Sequence, residues 1–179
     1  MLKPLEKADL QLILQWRNAP AVRLAMFSQH KITFGEHQRW FEHLKEDSSK
    51  RWLLYINNDG EPNGVVYFTE MHAAQASAFW GFYTNPRAKA GTGMQMSLNA
   101  LDYAFNELRI QKLNTEVLAS NPRSLRMQKN IGFIEEGRFR KQYFNGKERI
   151  DVIRLGILES EWRQCRSVLK ARIAALQLR

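Results

Sequence analysis

The sequence predicts an α/β (α+β) fold: a mixed, mostly antiparallel central sheet flanked by helices. Three observations carry this. Aromatic and β-branched runs come in neighbouring pairs joined by Asn/Gly turns, Trp52–Ile56 with Gly64–Thr69 through Asn57-Asn58-Asp59-Gly60, and a late pair meeting at Asn145-Gly146. Several segments repeat apolar residues at three- and four-residue steps, the mark of a helix with one buried face. At Phe79 to Leu108 an aromatic strand runs through a turn of small residues directly into a long helix.

In order, Leu2–Leu5 is a short first strand, and Ala8–Asn18 is a helix with Leu10, Ile13 and Leu14 on one face, stopped by Pro20. Trp16 to Phe27 is poorly periodic and reads as a loop region. Thr33 and Glu36 stand in capping-box spacing ahead of a helix from about Phe34 to Leu44, which carries His37, Trp40, Phe41 and Leu44 on one face. The aromatic strand, Phe79 to Tyr83, pairs antiparallel with Gly64–Thr69 and ends at Asn85-Pro86. Met94, Leu98, Leu101, Phe105 and Leu108 then line a helix whose N-terminus holds Gly91 and Gly93. Lys112–Leu118 is a strand, Asn121 caps a helix that has Pro122 in its first turn and ends near Asn130, and Gly132-Phe133 begins another strand. Arg149–Ile157 follows the Asn145-Gly146 turn, and Glu161–Leu178 is a last amphipathic helix.

The 179 residues suit one domain, 1–179, and 44% hydrophobic content with five Trp and ten Phe supports a real core. No run of eighteen apolar residues occurs and the N-terminus lacks the apolar stretch of a signal peptide, so a cytoplasmic protein with no membrane partner is expected. The single cysteine, Cys165, reads as packing. His37 has no second ligand at metal spacing, and no metal site is expected. A formal net charge of +9, from 27 Lys plus Arg against 18 Asp plus Glu, favours anionic small molecules. The basic residues are dispersed rather than striped, which argues against nucleic acid.

A helix start with glycines offers unpaired N–H groups and a partial positive charge to a phosphate. The spacing Gly91-x-Gly93 matches neither a Walker loop nor G-x-G-x-x-G. Joined to the element order and to Asn121-x-x-Ser124 with Gly132-Phe133 downstream, it resembles the GNAT superfamily of acyl-CoA N-acyltransferases over nearly the whole chain. That resemblance implies acetyl-CoA, its pyrophosphate on the backbone of Ala88, Lys89, Ala90, Gly91, Thr92 and Gly93, with Phe82, Tyr83, Thr84, Asn121, Ser124 and Gln128 along its arm. Two departures stand out. Ala88 occupies the place of the usual Gln or Arg, between Arg87 and Lys89, and Gln128 stands where many members have a Tyr that protonates the leaving thiolate.

Trp16-Arg17-Asn18-x-Pro20, Val22-Arg23-x-x-Met26 and His37-x-x-Trp40 look like the pseudaminic acid biosynthesis N-acetyltransferases. This implies acetyl transfer to the 4-amino group of a UDP-linked 4-amino-4,6-dideoxy-N-acetyl-altrosamine, on the way to a sugar that decorates flagellin. An N-terminal acetyltransferase of ribosomal or other proteins is the alternative. The expected acceptor site comprises Arg17, Asn18, Arg23, Met26, Phe27, His37, Trp40 and Thr69. Arg17 and Arg23 suit a nucleotide diphosphate or, equally, surface carboxylates. A backbone N–H near Phe82 or Tyr83 is expected to meet the oxyanion. Glu116 is the candidate base, through water, with a structural ion pair as its other reading. Tyr83, Tyr143, water or the attacking ammonium remain open as proton sources for the leaving group. The apolar C-terminal helix leaves a homodimer open.

Overall fold

The computed structural model describes residues 1–177. Its strands are β1 (Leu2–Pro4), β2 (Arg51–Ile56), β3 (Pro62–His72), β4 (Ser77–Thr84), β5 (Lys112–Leu118), β6 (Ile134–Phe144) and β7 (Arg149–Leu158). The helices are α1 (Leu10–Asn18), α2 (Pro20–Arg23), α3 (Phe34–Glu46), α4 (Thr92–Asp102), α5 (Pro122–Asn130) and α6 (Glu159–Gln177). The strands form one sheet in the order β1-β2-β3-β4-β5-β7-β6, antiparallel at every junction except β4–β5.

Local chemistry explains most boundaries. Thr33 Oγ1 accepts from the Glu36 N–H at 3.3 Å while Glu36 Oε2 accepts from the Thr33 N–H at 2.7 Å, closing the expected capping box of α3. Asn121 Oδ1 accepts from the Ser124 N–H at 3.0 Å and starts α5. Pro20 both ends α1 and opens α2, because a proline is tolerated at the first helical position; a short helix therefore replaces part of the expected loop. The expected long helix ends earlier. After Asp102 it widens into a π turn, Tyr103–Glu107, where the Leu108 N–H reaches back to Tyr103 O at 3.1 Å. Gly132, at φ +108°, closes the turn after α5, so β6 begins at Ile134 rather than at Gly132-Phe133. The helix α6 runs to Gln177, and the expected end at Leu178 lies outside the described residues.

Each sheet face carries its own core. Trp80, Leu113, Val117, Ile153 and Leu155 point toward α4, α5 and α6, packing on Met96, Ala100, Leu101, Trp162 and Leu169. Leu54, Val65 and Tyr83 point the other way, under Leu10, Ile13 and Trp16 of α1 and Phe41 of α3. Asp102 ties α4 to α6, accepting from Trp162 Nε1 at 3.1 Å and from Arg166 at 2.7 and 2.8 Å. Cys165 is half-buried beside the carbonyl of Ile131, consistent with packing.

Gly81 is the most tightly covered of the strand glycines. A Cβ there would lie 2.3 Å from Tyr67 Cζ and Oη, and Tyr67 is held in place by stacking on Trp52 with centroids 4.3 Å apart. Gly81→Ala is therefore expected to destabilise the fold by about 1–3 kcal/mol, the usual cost of overpacking. A lowered urea midpoint measures this; an unchanged midpoint contradicts the packing described.

Candidate active site

The sheet is interrupted where it matters. β4 and β5 pair only through Ser77–Lys112, Ala78–Leu113 and Phe79–Asn114, after which β4 stays with β3 to Thr84 and β5 stays with β7 to Leu118. A wedge opens between them. Ala78 O accepts from Asn114 Nδ2 at 3.3 Å across β5, while the Asn85 N–H bonds Asn63 O at 3.0 Å on the β3 side. Backbone direction alternates along a strand, so the N–H and C=O groups of Trp80, Phe82 and Thr84 face the wedge, and those of Gly81 and Tyr83 face β3.

At the open end of the wedge lies the turn before α4. Gly91 adopts φ +88°, a left-handed conformation natural to glycine. The turn spends the N–H of Ala88 on Asn85 O at 2.9 Å and that of Thr92 on Lys89 O at 3.2 Å. Among the described residues the amides left over are those of Lys89, Ala90, Gly91, Gly93 and Met94, which removes Ala88 and Thr92 from the expected set of backbone donors. Where Gly93 lacks a side chain, Met127 of α5 and Phe82 of β4 converge, 3.5 and 3.9 Å from the place a Cβ would take. Three elements thus meet at one small-residue spot. Asn121 spends its side-chain oxygen on the cap, and Gln128 is 3% exposed on the same side.

On the opposite face, several expected acceptor residues turn out to hold the 24–33 segment. Arg17 Nη2 donates to Ser28 O at 2.7 Å, and Arg23 Nη1 to Gln29 O. Asn18 makes a reciprocal pair with Ile32, 2.7 and 2.8 Å. Tyr143 donates its phenolic hydrogen to Phe27 O at 2.6 Å and meets the Phe27 ring edge-on at 5.5 Å. Met26 and Phe27 lie on this anchored segment. A cavity of about 370 Å³ opens beside it, lined by Pro20, Ala21, Leu24 and Ala25 on one side and Leu118, Ser120 and Asn121 on the other.

Glu116 points to this face from β5, just past the last β4–β5 pair. Its Oε1 accepts from Arg154 Nη2 at 2.6 Å and Nε at 3.1 Å, the ion-pair reading left open by the sequence. Arg154 is in turn sandwiched by Phe79 at 4.5 Å and Phe139 at 5.6 Å. Thr69 pairs with Phe79 at the end of that strip. Neither tyrosine is placed to give a proton to a leaving group. Tyr143 has committed its hydrogen to Phe27, and Tyr83, 5% exposed in the second core, has its phenol pushed far up by burial.

His37 is 5% exposed and stacks on Trp40 at 4.8 Å; Trp40 meets Trp52 edge-on at 4.7 Å. Burial, and then the charge of Arg17, push its imidazole below its ordinary value. Sequence reasoning missed Trp52, Tyr67, Phe79 and Arg154 as members of this face. Only Arg154 left a signal, a charge within the otherwise apolar stretch 152–158 of β7. Among the described residues no group of His, Cys, Asp and Glu could hold a metal ion, and no helix is long and apolar enough to cross a membrane.

A wedge between parallel neighbours, with free amides at its mouth and an amphipathic face opposite, is the architecture of an acyl-CoA-dependent transferase. The family model for the acetyltransferase (GNAT) domain matches residues 1–134, and the chain belongs to that family. It is similar to the spermidine N(1)-acetyltransferase of Vibrio cholerae, 27% identical over 166 residues covering 90% of this chain and 94% of that protein. It is also similar to the acetyltransferase PseH of Campylobacter jejuni, 30% identical over 129 residues covering 72% of this chain and 79% of that protein. The Vibrio cholerae spermidine N-acetyltransferase, solved in complex with CoA and spermine, superposes with a TM-score of 0.85 at 25% identity, covering 91% of this chain and 97% of that one. The protein is an acetyl-CoA-dependent N-acetyltransferase acting on an amine.

The buried histidine has a measurable consequence. With its native pKa held below the 6.5 of a free imidazole, the unfolded chain takes up a proton first as pH falls, so stability is lost through that window. His37→Phe is expected to flatten the drop in urea midpoint between about pH 7.5 and about pH 5.5. An unaltered slope assigns the drop to other groups.

Proposed function

We propose that the chain transfers the acetyl group of acetyl-CoA to the 4-amino group of a UDP-linked 4-amino-4,6-dideoxy-N-acetyl-altrosamine in the cytoplasm, the step of pseudaminic acid biosynthesis that serves flagellin glycosylation. The observation that carries this reading is the charge of the acceptor face. Among the described residues Arg17 and Arg23 bond only backbone carbonyls, and no carboxylate pairs with either. Two carboxylates on that sheet face are already occupied, Glu116 by Arg154 and Glu136 by Lys112 at 2.7 Å. Such a surface attracts a diphosphate and repels a polycation. The stacked and edge-on rings of Trp40, Trp52 and Tyr67 add the flat apolar area that a base or a deoxy-sugar uses.

In this reading the leftover amides of Lys89, Ala90, Gly91, Gly93 and Met94 hold the pyrophosphate of the coenzyme, and its arm lies in the wedge along Phe82 and Thr84, with Ser124 and Gln128 beside it. The Phe82 N–H, which faces the wedge, stabilises the oxyanion of the tetrahedral intermediate; Tyr83, whose amide faces β3, does not. Positioning the amine against the thioester supplies most of the rate. The free Oε2 of Glu116 receives the amine proton through water, while Arg154 fixes the carboxylate. Met26, Phe27, His37, Trp40 and Thr69 line the acceptor, and Arg17 and Arg23 bind its phosphates while holding the 24–33 segment.

A polyamine acceptor is the second reading, favoured by the similarity to spermidine acetyltransferases along 90% of the chain; a protein N-terminus is the third. Thiol release from acetyl-CoA is measured separately with the UDP-amino sugar, spermidine and an N-terminal peptide. The nucleotide sugar is expected to turn over with a kcat/KM at least about tenfold above the others, and Arg23→Ala to raise its KM about tenfold, one lost charge-assisted bond. Turnover with spermidine or peptide alone overturns the assignment.

A further inference from the structure

The guanidinium of Arg154 lies between two rings from strands on either side of it, Phe79 of β4 at 4.5 Å and Phe139 of β6 at 5.6 Å. Neither ring belongs to the two cores of the sheet. Phe79 is the last β4 residue to pair with β5, so it marks the closed end of the wedge. Register explains how the three meet. Arg154 pairs with Glu116 on β5 and with Gly137 on β6, which puts all of them on one sheet face. Gly137 leaves its spot open, with nothing within 4 Å of where a Cβ would be, and Phe139, two residues on and therefore on the same face, reaches Arg154 instead.

Immediately beyond Phe139 the strand bulges, with residues 140–142 standing between the pairs Phe139–Val152 and Tyr143–Ile150, opposite Asp151 alone. Asp151 holds the bulge from both sides, accepting from Arg138 Nη1 at 3.0 Å and from the Lys141 N–H at 2.8 Å. Bulges beside active sites re-aim side chains. Here the residue before the bulge meets Arg154, and the residue after it, Tyr143, meets the 24–33 segment. Arg154 Nε and Nη2 both donate to Oε1 of Glu116, at 3.1 and 2.6 Å, instead of spanning the two carboxylate oxygens as a fork. Among the described residues Oε2 has no hydrogen-bond partner, and the Glu116 side chain is 31% exposed, open to water. An ion pair between two such side chains swivels unless something else holds it.

We propose that Phe79 and Phe139 are positioning residues for the base: gripping Arg154 between them, they hold its two donors on one oxygen of Glu116 and keep the other, Oε2, for the proton of the amine. The inference deepens the reading of Glu116 as the base and rests on it. The amine nitrogen attacks the thioester carbonyl and the C–N bond forms. The C–S bond breaks with its electron pair on sulfur, and the nitrogen proton moves through one water to Oε2, from which it returns to solvent. An oxygen that already accepts two N–H bonds is a poorer proton acceptor than one that accepts none, so the grip on Arg154 decides which oxygen works. The contribution of the rings reaches the reaction only through Arg154 and Glu116.

The test measures kcat and KM of the full chain with acetyl-CoA and whichever of the three amines it accepts. Glu116→Gln is expected to lower kcat about 100-fold, the usual share of a general base. Phe139→Leu removes a ring that is 42% exposed, so the melting temperature should stay close to that of the wild type. It should lower kcat about tenfold and leave both KM values within about twofold, while Phe139→Tyr keeps the ring and restores kcat. In the Glu116→Gln background Phe139→Leu should cost nothing further, because nothing is left to position. A tenfold loss that persists in that background overturns the proposal, as does a Phe139→Leu enzyme with wild-type kcat; either makes the ring packing alone. A Glu116→Gln enzyme with wild-type kcat strikes the base reading beneath it, and the positioning role falls with that reading.

Discussion

Everything distinctive about this molecule depends on the brevity of one parallel strand pairing. Three residue pairs join β4 to β5, and then each strand follows its other neighbour. A sheet cut in this way leaves unpaired backbone groups inside the protein, which is costly unless a ligand or water completes them. The parity of β4 then decides which groups those are. Because Asn85 is held by Asn63 and Ala78 by Asn114, the amide of Phe82 faces the wedge and that of Tyr83 does not. Which amides face the wedge is a consequence of strand register, set by hydrogen bonds several residues away.

The two cores on either side of the sheet turn this wedge into a two-sided site. One face supplies a helix N-terminus with leftover amides; the other supplies cations, stacked rings and an anchored segment. That segment, residues 24–33, has no regular secondary structure to satisfy its carbonyls. Arg17, Asn18, Arg23 and Tyr143 satisfy four of them from α1, α2 and β6, with Phe27 and Met26 carried along. Side chains that look from the sequence like ligand contacts thus hold this segment in place. A guanidinium that has given one N–H to a carbonyl retains its full charge, so the two roles are compatible.

Much of the fold was legible because it is written in short-range chemistry. The capping box at Thr33, the cap at Asn121, the Asn145-Gly146 turn and the small-residue turn before α4 all depend on neighbours within a few residues, and all are found where the sequence places them. The sequence pattern starts a strand at Gly132-Phe133 while β6 begins at Ile134, because a glycine with positive φ marks a helix exit as readily as a strand entry. The sequence leaves Tyr83 and Tyr143 open as proton sources; their environments, one buried and one bonded to a carbonyl, come from residues far away in the chain.

The sequence by itself determined the element order, the helix start that can hold phosphates, the family and the net positive charge, since each resides in local pattern or composition. Only the tertiary structure decided which β4 amide faces the wedge, that Arg154 claims Glu116 from 38 residues away, and that Tyr67 lies where a Gly81 side chain would be. Those facts arise from register and from packing between distant segments. No property of a residue or its near neighbours encodes which partner the folded sheet will bring against it.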